Sequence, residues 1–295
     1  ALLDHAVRLS LDRELRSAVE AMCGFDAGMR VARHRYAGVE VRYAVKPGRS
    51  ARPLLIFNGI GQNIEVLEPL FQHLPDTEVI VYDAPGAGLS ETPRLPWRYR
   101  QHAKLAASLL EKLGHRQADV LGMSWGGCLA QQFARQHGGM TRRLVLAASP
   151  IGNLMVPGKP TVLLRMANPR RLWDRKYMRS IAGKVFGGSL RNQPEPIQEH
   201  STRIRTPSGR GYLYQMLTMY GWSSLPWLRR LPHNTPVMQG RDDPLIPNIN
   251  ARVLAALIPN ARLSYVDCGH MFLLTRTAEA MQQVREFIEV EEDEK

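Results

Sequence analysis

Three short stretches hold residues able to do covalent chemistry. "GMSWGG" sets one serine, Ser124, among glycines. "GRDDP" sets Asp242 and Asp243 before a proline, and "DCGHMF" sets His270 behind a glycine. A serine hydroxyl attacks poorly until a base stands beside it and donors wait for the oxyanion it creates. An imidazole oriented by a carboxylate is such a base. Gly122-Met123-Ser124-Trp125-Gly126 fits G-x-S-x-G, a strand-to-helix turn so tight that flanking side chains would clash. Gly122 and Gly126 remove that clash and leave the Ser124 hydroxyl exposed at the top of the sheet.

Such a serine is followed along the chain by its acid and then its histidine. His270 is the expected base. Asp243, directly before Pro244 and three residues after Gly240, is the favoured acid. Asp242 competes for that role or braces the turn. Asp83, at another strand end, is a weaker rival, and Asp267 is read as structural. The backbone N–H of Trp125, at a helix N-terminus, suits negative charge. A second oxyanion donor is expected from "NGIG" (58–61): the N–H of Ile60, with Asn58 and Gly59 holding the loop.

The elements that must position these groups follow from the hydrophobic pattern. "MRVARHRY" and "VEVRYAVKPG" flank Ala37-Gly38 and predict an antiparallel hairpin. "PLLIFNGIG", "EVIVYDAPGAGLS", "ADVLG", "RRLVLAASP", "TPVMQG" and "ARLSYVDCG" predict buried strands. "IEVLEPLFQHL", "YRQHAKLAASLLEKLG", "GGCLAQQFARQHG", a segment after Pro247 and "AEAMQQVREFIE" carry helical spacing. Alternating strands and helices with short connections predict a mostly parallel sheet covered on both faces. The rhythm breaks over 151–233, which is expected to be a mainly helical lid inserted into one core made of 29–150 and 234–290. Residues 1–28 are expected to form a helical extension and 291–295 an acidic tail.

Composition narrows the classes. At 44% hydrophobic, 295 residues can bury a large core. No apolar run reaches the roughly 18 residues of a membrane span, so no transmembrane segment is expected. The mixed charges of the N-terminus do not suit a secretory signal peptide. Cys23, Cys128 and Cys268 form neither a CxxC nor an even set, which favours a reducing interior over a disulfide framework or zinc site. The net charge is +12, and 151–233 hold fourteen Lys and Arg against Asp174, Glu195 and Glu199. Such a patch suits an anionic surface. No nucleic-acid motif accompanies it, and nucleic acid is not an expected partner.

Together these residues resemble the α/β-hydrolase superfamily. "PLLIFNGIG", "DAPGAGLSETPR", "GMSWGGCLAQQFA", "LVLAAS", "MVPGKP", "GWSSLPWL", "DDPLIP" and "CGHMFLLTR" are further similar to intracellular depolymerases of medium-chain-length poly(3-hydroxyalkanoate), over about residues 35 to 290 and including the insertion. The resemblance implies an α/β-hydrolase fold and catalytic residues at Ser124, Asp243 and His270. It also implies an acyl-enzyme mechanism without metal or organic cofactor, and a cytoplasmic, granule-associated enzyme acting on polyester or medium-chain 3-hydroxyacyl esters. Met155, Trp173, Tyr214 and Trp222 of the lid are expected to line an acyl pocket. Arg170 and Arg171 are expected to meet anionic phospholipid or a granule-coat protein. Alternatives on the same triad are a 3-hydroxyacyl transferase or a general lipase or carboxylesterase. A non-catalytic granule adaptor is the alternative from another class.

Overall fold

The computed structural model describes residues 28–193, 195–205 and 208–290. The expected extension over 1–28 falls almost wholly outside these residues, and the acidic tail and Cys23 lie outside them. Eight strands form one sheet: β1 Arg30–Tyr36, β2 Val39–Lys46, β3 Leu54–Phe57, β4 Val79–Tyr82, β5 Ala118–Met123, β6 Thr141–Ala147, β7 Thr235–Gly240 and β8 Ala261–Val266. Their order is β1-β2-β4-β3-β5-β6-β7-β8. β2 pairs antiparallel with β1 and β4, and the remaining neighbours are parallel. Ala37 (φ +48°) and Gly38 (φ +78°) close the hairpin. Positive φ at both turn positions matches the right-handed twist of its two strands.

Helices cover both faces. The first stretch after β3 is a 3₁₀ turn, Ile64–Leu67, running into α1, Glu68–Phe71. The core is completed by α2 Tyr99–Lys112, α3 Trp125–Gln136, α8 Asn248–Leu257, α9 Phe272–Thr275 and α10 Thr277–Glu289. The insertion contributes α4 Pro160–Ala167, α5 Arg175–Phe186, α6 Glu195–Arg203 and α7 Gly209–Met219. One apolar layer packs α2, α3 and α8 on the sheet, through Leu109, Leu129, Phe133 and Leu254. The other packs α1, α9 and α10, through Leu70, Phe71, Phe272 and Val284. Strands buried on both faces explain why they read as continuous apolar runs.

The insertion leaves the core at a narrow neck. Gly152 bridges Ser223, Asn153 N–H donates to Trp222 O (2.8 Å) and Ser224 N–H donates to Ile151 O (3.1 Å). Beyond the neck, Leu228 and Leu231 already belong to the core layer of α2, α3 and α8. The insertion has its own apolar cluster, built on Val162, Met178, Ile181, Val185 and Phe186. That cluster also takes in Leu245, Ile246 and Met271 from core loops.

Candidate active site

Parallel register brings the functional loops to one edge. Phe57 lies opposite Gly122, Met123 opposite Ala147, and Gly240 opposite Val266. The residues just past these strand ends therefore share the carboxyl edge of the sheet, where open α/β sheets place their ligands.

Ser124 sits between β5 and α3 with φ +54° and ψ −117°. A non-glycine residue there costs about 1–3 kcal/mol and persists only when its surroundings over-determine it. Here Ser124 N–H donates to Ala147 O (2.9 Å), and Ser124 O accepts from Gly127 N–H (2.8 Å). The glycines are required by space. A Cβ on Gly126 would stand 2.1 Å from Phe57 O, and one on Gly122 would stand 2.5 Å from the Ala130 Cβ.

His270 Nε2 lies 3.1 Å from Ser124 Oγ, and His270 Nδ1 lies 2.8 Å from Asp243 Oδ2. The carboxylate only accepts, so Nδ1 carries the proton and Nε2 turns a lone pair to the hydroxyl. Asp243 is fixed in turn. Its Oδ1 accepts from the Leu245 and Ile246 N–H groups (2.9 Å each), and its Oδ2 accepts from Gln239 Nε2 (3.0 Å). The imidazole is buried, stacked on Phe186 with ring centres 6.1 Å apart at 17°. Its backbone N–H donates to Phe186 O (2.7 Å). This relay can carry a proton away from the Ser124 hydroxyl.

The rival acids are engaged elsewhere. Asp242 receives two hydrogen bonds from the Arg191 guanidinium (2.6 and 2.8 Å) and one from Gly188 N–H, tying the insertion to the core. The bonds from Arg191 hold its carboxyl below the usual range. Asp83 is fully buried, pairs with Arg42 (3.3 Å) and accepts from Ile64 and Leu89 N–H. Burial pushes it up to about 6, against the pull of Arg42. Asp267 is exposed.

The loop after β3 presents Ile60 between two tethered neighbours. Gly59 N–H donates to Asn58 Oδ1 (2.9 Å) and to Gln62 Oε1 (3.0 Å), while Gly61 N–H donates to Gln215 Oε1 (2.7 Å). Asn58 Nδ2 bonds Asn63 O (2.9 Å) across the loop. Among the described residues neither Ile60 N–H nor Trp125 N–H has a backbone acceptor outside the helix ladder. Gln215, on α7, also accepts through its backbone O from Trp125 Nε1 (2.9 Å). One residue of the insertion thus braces both loops that carry the candidate donors. Sequence reading missed it, because nothing local marks a glutamine in a helix far along the chain.

The space at Ser124 is narrow, about 40 Å³. Met123, Met166, Met178, Ile204 and Met271 form its apolar wall, and Gln62, Arg171 and His200 its polar part. His200 is buried, and burial, helped by Arg203 and Arg171, lowers it to about 4, so it is neutral near pH 7. None of the four lid side chains expected in an acyl pocket reaches this cavity. Trp222 stands at the neck, bonded to Gln132 Oε1 (2.9 Å) and packed on Tyr99 and Trp227. Tyr214 OH bonds Arg94 O (3.0 Å). Met155 packs between two apolar clusters, and Trp173 is 60% exposed. Apolar or aromatic character marks residues that pack against something without saying what. Arg171 also lines this cavity. Its guanidinium lies over the Tyr212 ring (4.8 Å) and bonds Tyr212 OH and Met166 O.

Residues 52–277 match the alpha/beta hydrolase fold family. The chain is 46% identical over 253 residues to the poly(3-hydroxyalkanoate) depolymerase of Ectopseudomonas oleovorans, covering 85% of this chain and 89% of that one. It is 31% identical over 228 residues to a 2-hydroxymuconate semialdehyde hydrolase of Pseudomonas putida, covering 74% and 79%. In structure it is similar to an enol-lactonase from Burkholderia xenovorans LB400, with a TM-score of 0.75 at 20% identity, over 87% of this chain and 99% of that one. With its eight-stranded sheet and the match over most of its length, this chain belongs to the alpha/beta hydrolase family and, within it, to the poly(3-hydroxyalkanoate) depolymerases.

Proposed function

We propose that this ester hydrolase cleaves medium-chain-length poly(3-hydroxyalkanoate) through an acyl-enzyme on Ser124. The observation that carries the reading is the hydrogen-bonded chain Ser124–His270–Asp243 beside an apolar cavity, in a chain 46% identical to a depolymerase of this polyester class. His270 Nε2 takes the Ser124 proton as Oγ attacks the ester carbonyl. The Ile60 and Trp125 N–H groups hold the tetrahedral oxyanion. The C–O bond to the alcohol breaks, and His270 returns the proton to the leaving oxygen. Water, deprotonated by His270, then hydrolyses the acyl-serine to a 3-hydroxyalkanoic acid or oligomer. Asp243 keeps the proton on Nδ1 and stabilises the imidazolium. Unbranched methionines line the narrow cavity, and their flexible thioethers give room to side chains of differing length.

The insertion also suits a granule surface. Leu154, Val156, Leu164 and Trp173 are exposed, interspersed in sequence with exposed Lys159, Arg170, Arg175 and Lys176. Apolar side chains among cations fit a polyester surface coated with anionic lipid. Among the described residues no helix is long and apolar enough to cross a membrane.

The test is clearing of emulsified medium-chain against short-chain polyhydroxyalkanoate, with Ser124→Ala as the blank. Clearing of the medium-chain emulsion by the wild type alone is expected. Hydrolysis of small esters with neither emulsion cleared would overturn the substrate reading, and acyl transfer to an added alcohol in preference to water would make the enzyme a transferase.

A further inference from the structure

The cavity that holds Ser124 contains one permanently charged side chain among the described residues, Arg171. Its hydrogen bonds go to neutral oxygens, Tyr212 OH and Met166 O, and among the described residues no ion pair with a carboxylate is found for it. A guanidinium partly out of water usually meets an anion, because a half-buried unpaired charge is costly. Its cavity neighbours do not supply one. Gln62 is neutral, and His200 is kept neutral by burial. Met166, Met178, Ile204 and Met271 complete an apolar wall. A lone fork of donors in an otherwise uncharged reaction cavity is suited to a carboxylate.

We propose that Arg171 receives the free carboxylate of a polyester chain end, so that the enzyme cuts from the acid terminus and releases single 3-hydroxyacids. This rests on the depolymerase reading. In a terminal unit the carboxylate lies two carbons from the ester oxygen that departs, so a cation in the same cavity can sense it while Ser124 attacks the neighbouring carbonyl. The chemistry is ordinary hydrolysis. The Ser124 Oγ–C bond forms, the C–O bond of the terminal unit breaks, and the leaving oxygen takes its proton from His270. The terminal 3-hydroxyacid departs as a carboxylate, and water frees the shortened chain. Arg171 changes neither protonation nor bonding. It selects which ester enters.

The experiment compares kcat/KM for the ester-linked dimer of 3-hydroxyoctanoic acid with that for its methyl ester, which lacks the charge. A charge-assisted bond predicts a preference for the acid of roughly 10- to 100-fold. Arg171→Gln should bring the ratio near one, and Arg171→Lys should keep part of it, because charge remains while the fork is lost. Equal wild-type rates on acid and ester would overturn the proposal, as would a preference that survives in Arg171→Gln. A loss on both dimers that leaves their ratio intact would assign Arg171 to holding Tyr212 and Met166 in place, which also overturns it. The depolymerase reading fails separately, if the wild type clears no polymer emulsion.

Discussion

The turn that carries Ser124 and the insertion that faces it are held by different forces. The turn is set by steric necessity. Gly122 and Gly126 leave no room for a Cβ, Ser124 is strained at φ +54°, and the strands beneath are buried on both faces. The insertion is held by an apolar cluster of its own, by the neck at Gly152 and Ser223, and by polar ties such as Arg191–Asp242. Its cluster includes Leu245 and Ile246, which follow Asp243 closely, and Met271, which follows His270. Phe186, in the same cluster, stacks on the imidazole. The insertion therefore packs on the loops of the acid and the base, while it reaches the nucleophile turn through one hydrogen bond, from Trp125 Nε1 to Gln215 O. Ser124, Asp243 and His270 come from core loops, and the insertion supplies Met166, Arg171, Met178, His200 and Ile204 to the wall of their cavity.

That division can be tested from its strongest consequence downward. Asp243→Asn removes the acceptor that fixes the His270 tautomer, and kcat should fall by about 10³- to 10⁴-fold. A fall of less than tenfold would show that another group orients the imidazole. Gln215→Leu cuts the tie from the insertion to Gly61 while leaving the nucleophile turn untouched. A drop in kcat of about 10- to 100-fold with KM little changed is expected. A change in KM alone would place Gln215 in binding.

The pH dependence of folding follows from His200. Its pKa is lowered to about 4, below the unfolded value of 6.5. The unfolded chain binds the proton first as pH falls, so the contribution of His200 to stability is present above 6.5 and lost between 6.5 and about 4. Tm followed by calorimetry should fall over this window, less steeply in His200→Gln. Parallel curves would show that His200 does not control the insertion's acid sensitivity. His102, buried beneath Trp125 and lowered to about 3, adds a core contribution of the same sign that both proteins share. The smallest effect belongs to Arg191→Ala. Its pair with Asp242 is about half exposed, so the loss should stay within about 1 kcal/mol. A larger loss in a denaturant titration would mean that the insertion and core unfold as one unit through this contact.

How much was legible in the sequence follows the same boundary. Ser124, Asp243 and His270 could be named because each follows a strand whose apolar run is visible locally, and because parallel strands bring their ends to one edge. Asp242 and Asp243 are adjacent in sequence and differ by what they meet in space: Arg191 for one, His270 for the other. The hairpin was visible in Ala37-Gly38, since only a turn needs that pair between alternating strands. The cavity lining was not visible. Met166, Arg171, Met178 and His200 are brought to Ser124 by how α4 to α6 and the turns between them fold over the core, and no spacing encodes that approach. Trp173 and Trp222 were read from their apolar, aromatic character, a property that neck, surface and pocket share.

The most direct test of the central claim is an acid-quenched intact-mass measurement during turnover of p-nitrophenyl 3-hydroxyoctanoate, with peptide mapping of the product. The account predicts a 3-hydroxyoctanoyl adduct on the peptide containing Ser124, absent from Ser124→Ala. Full turnover with no adduct, or an adduct on another residue, would contradict it.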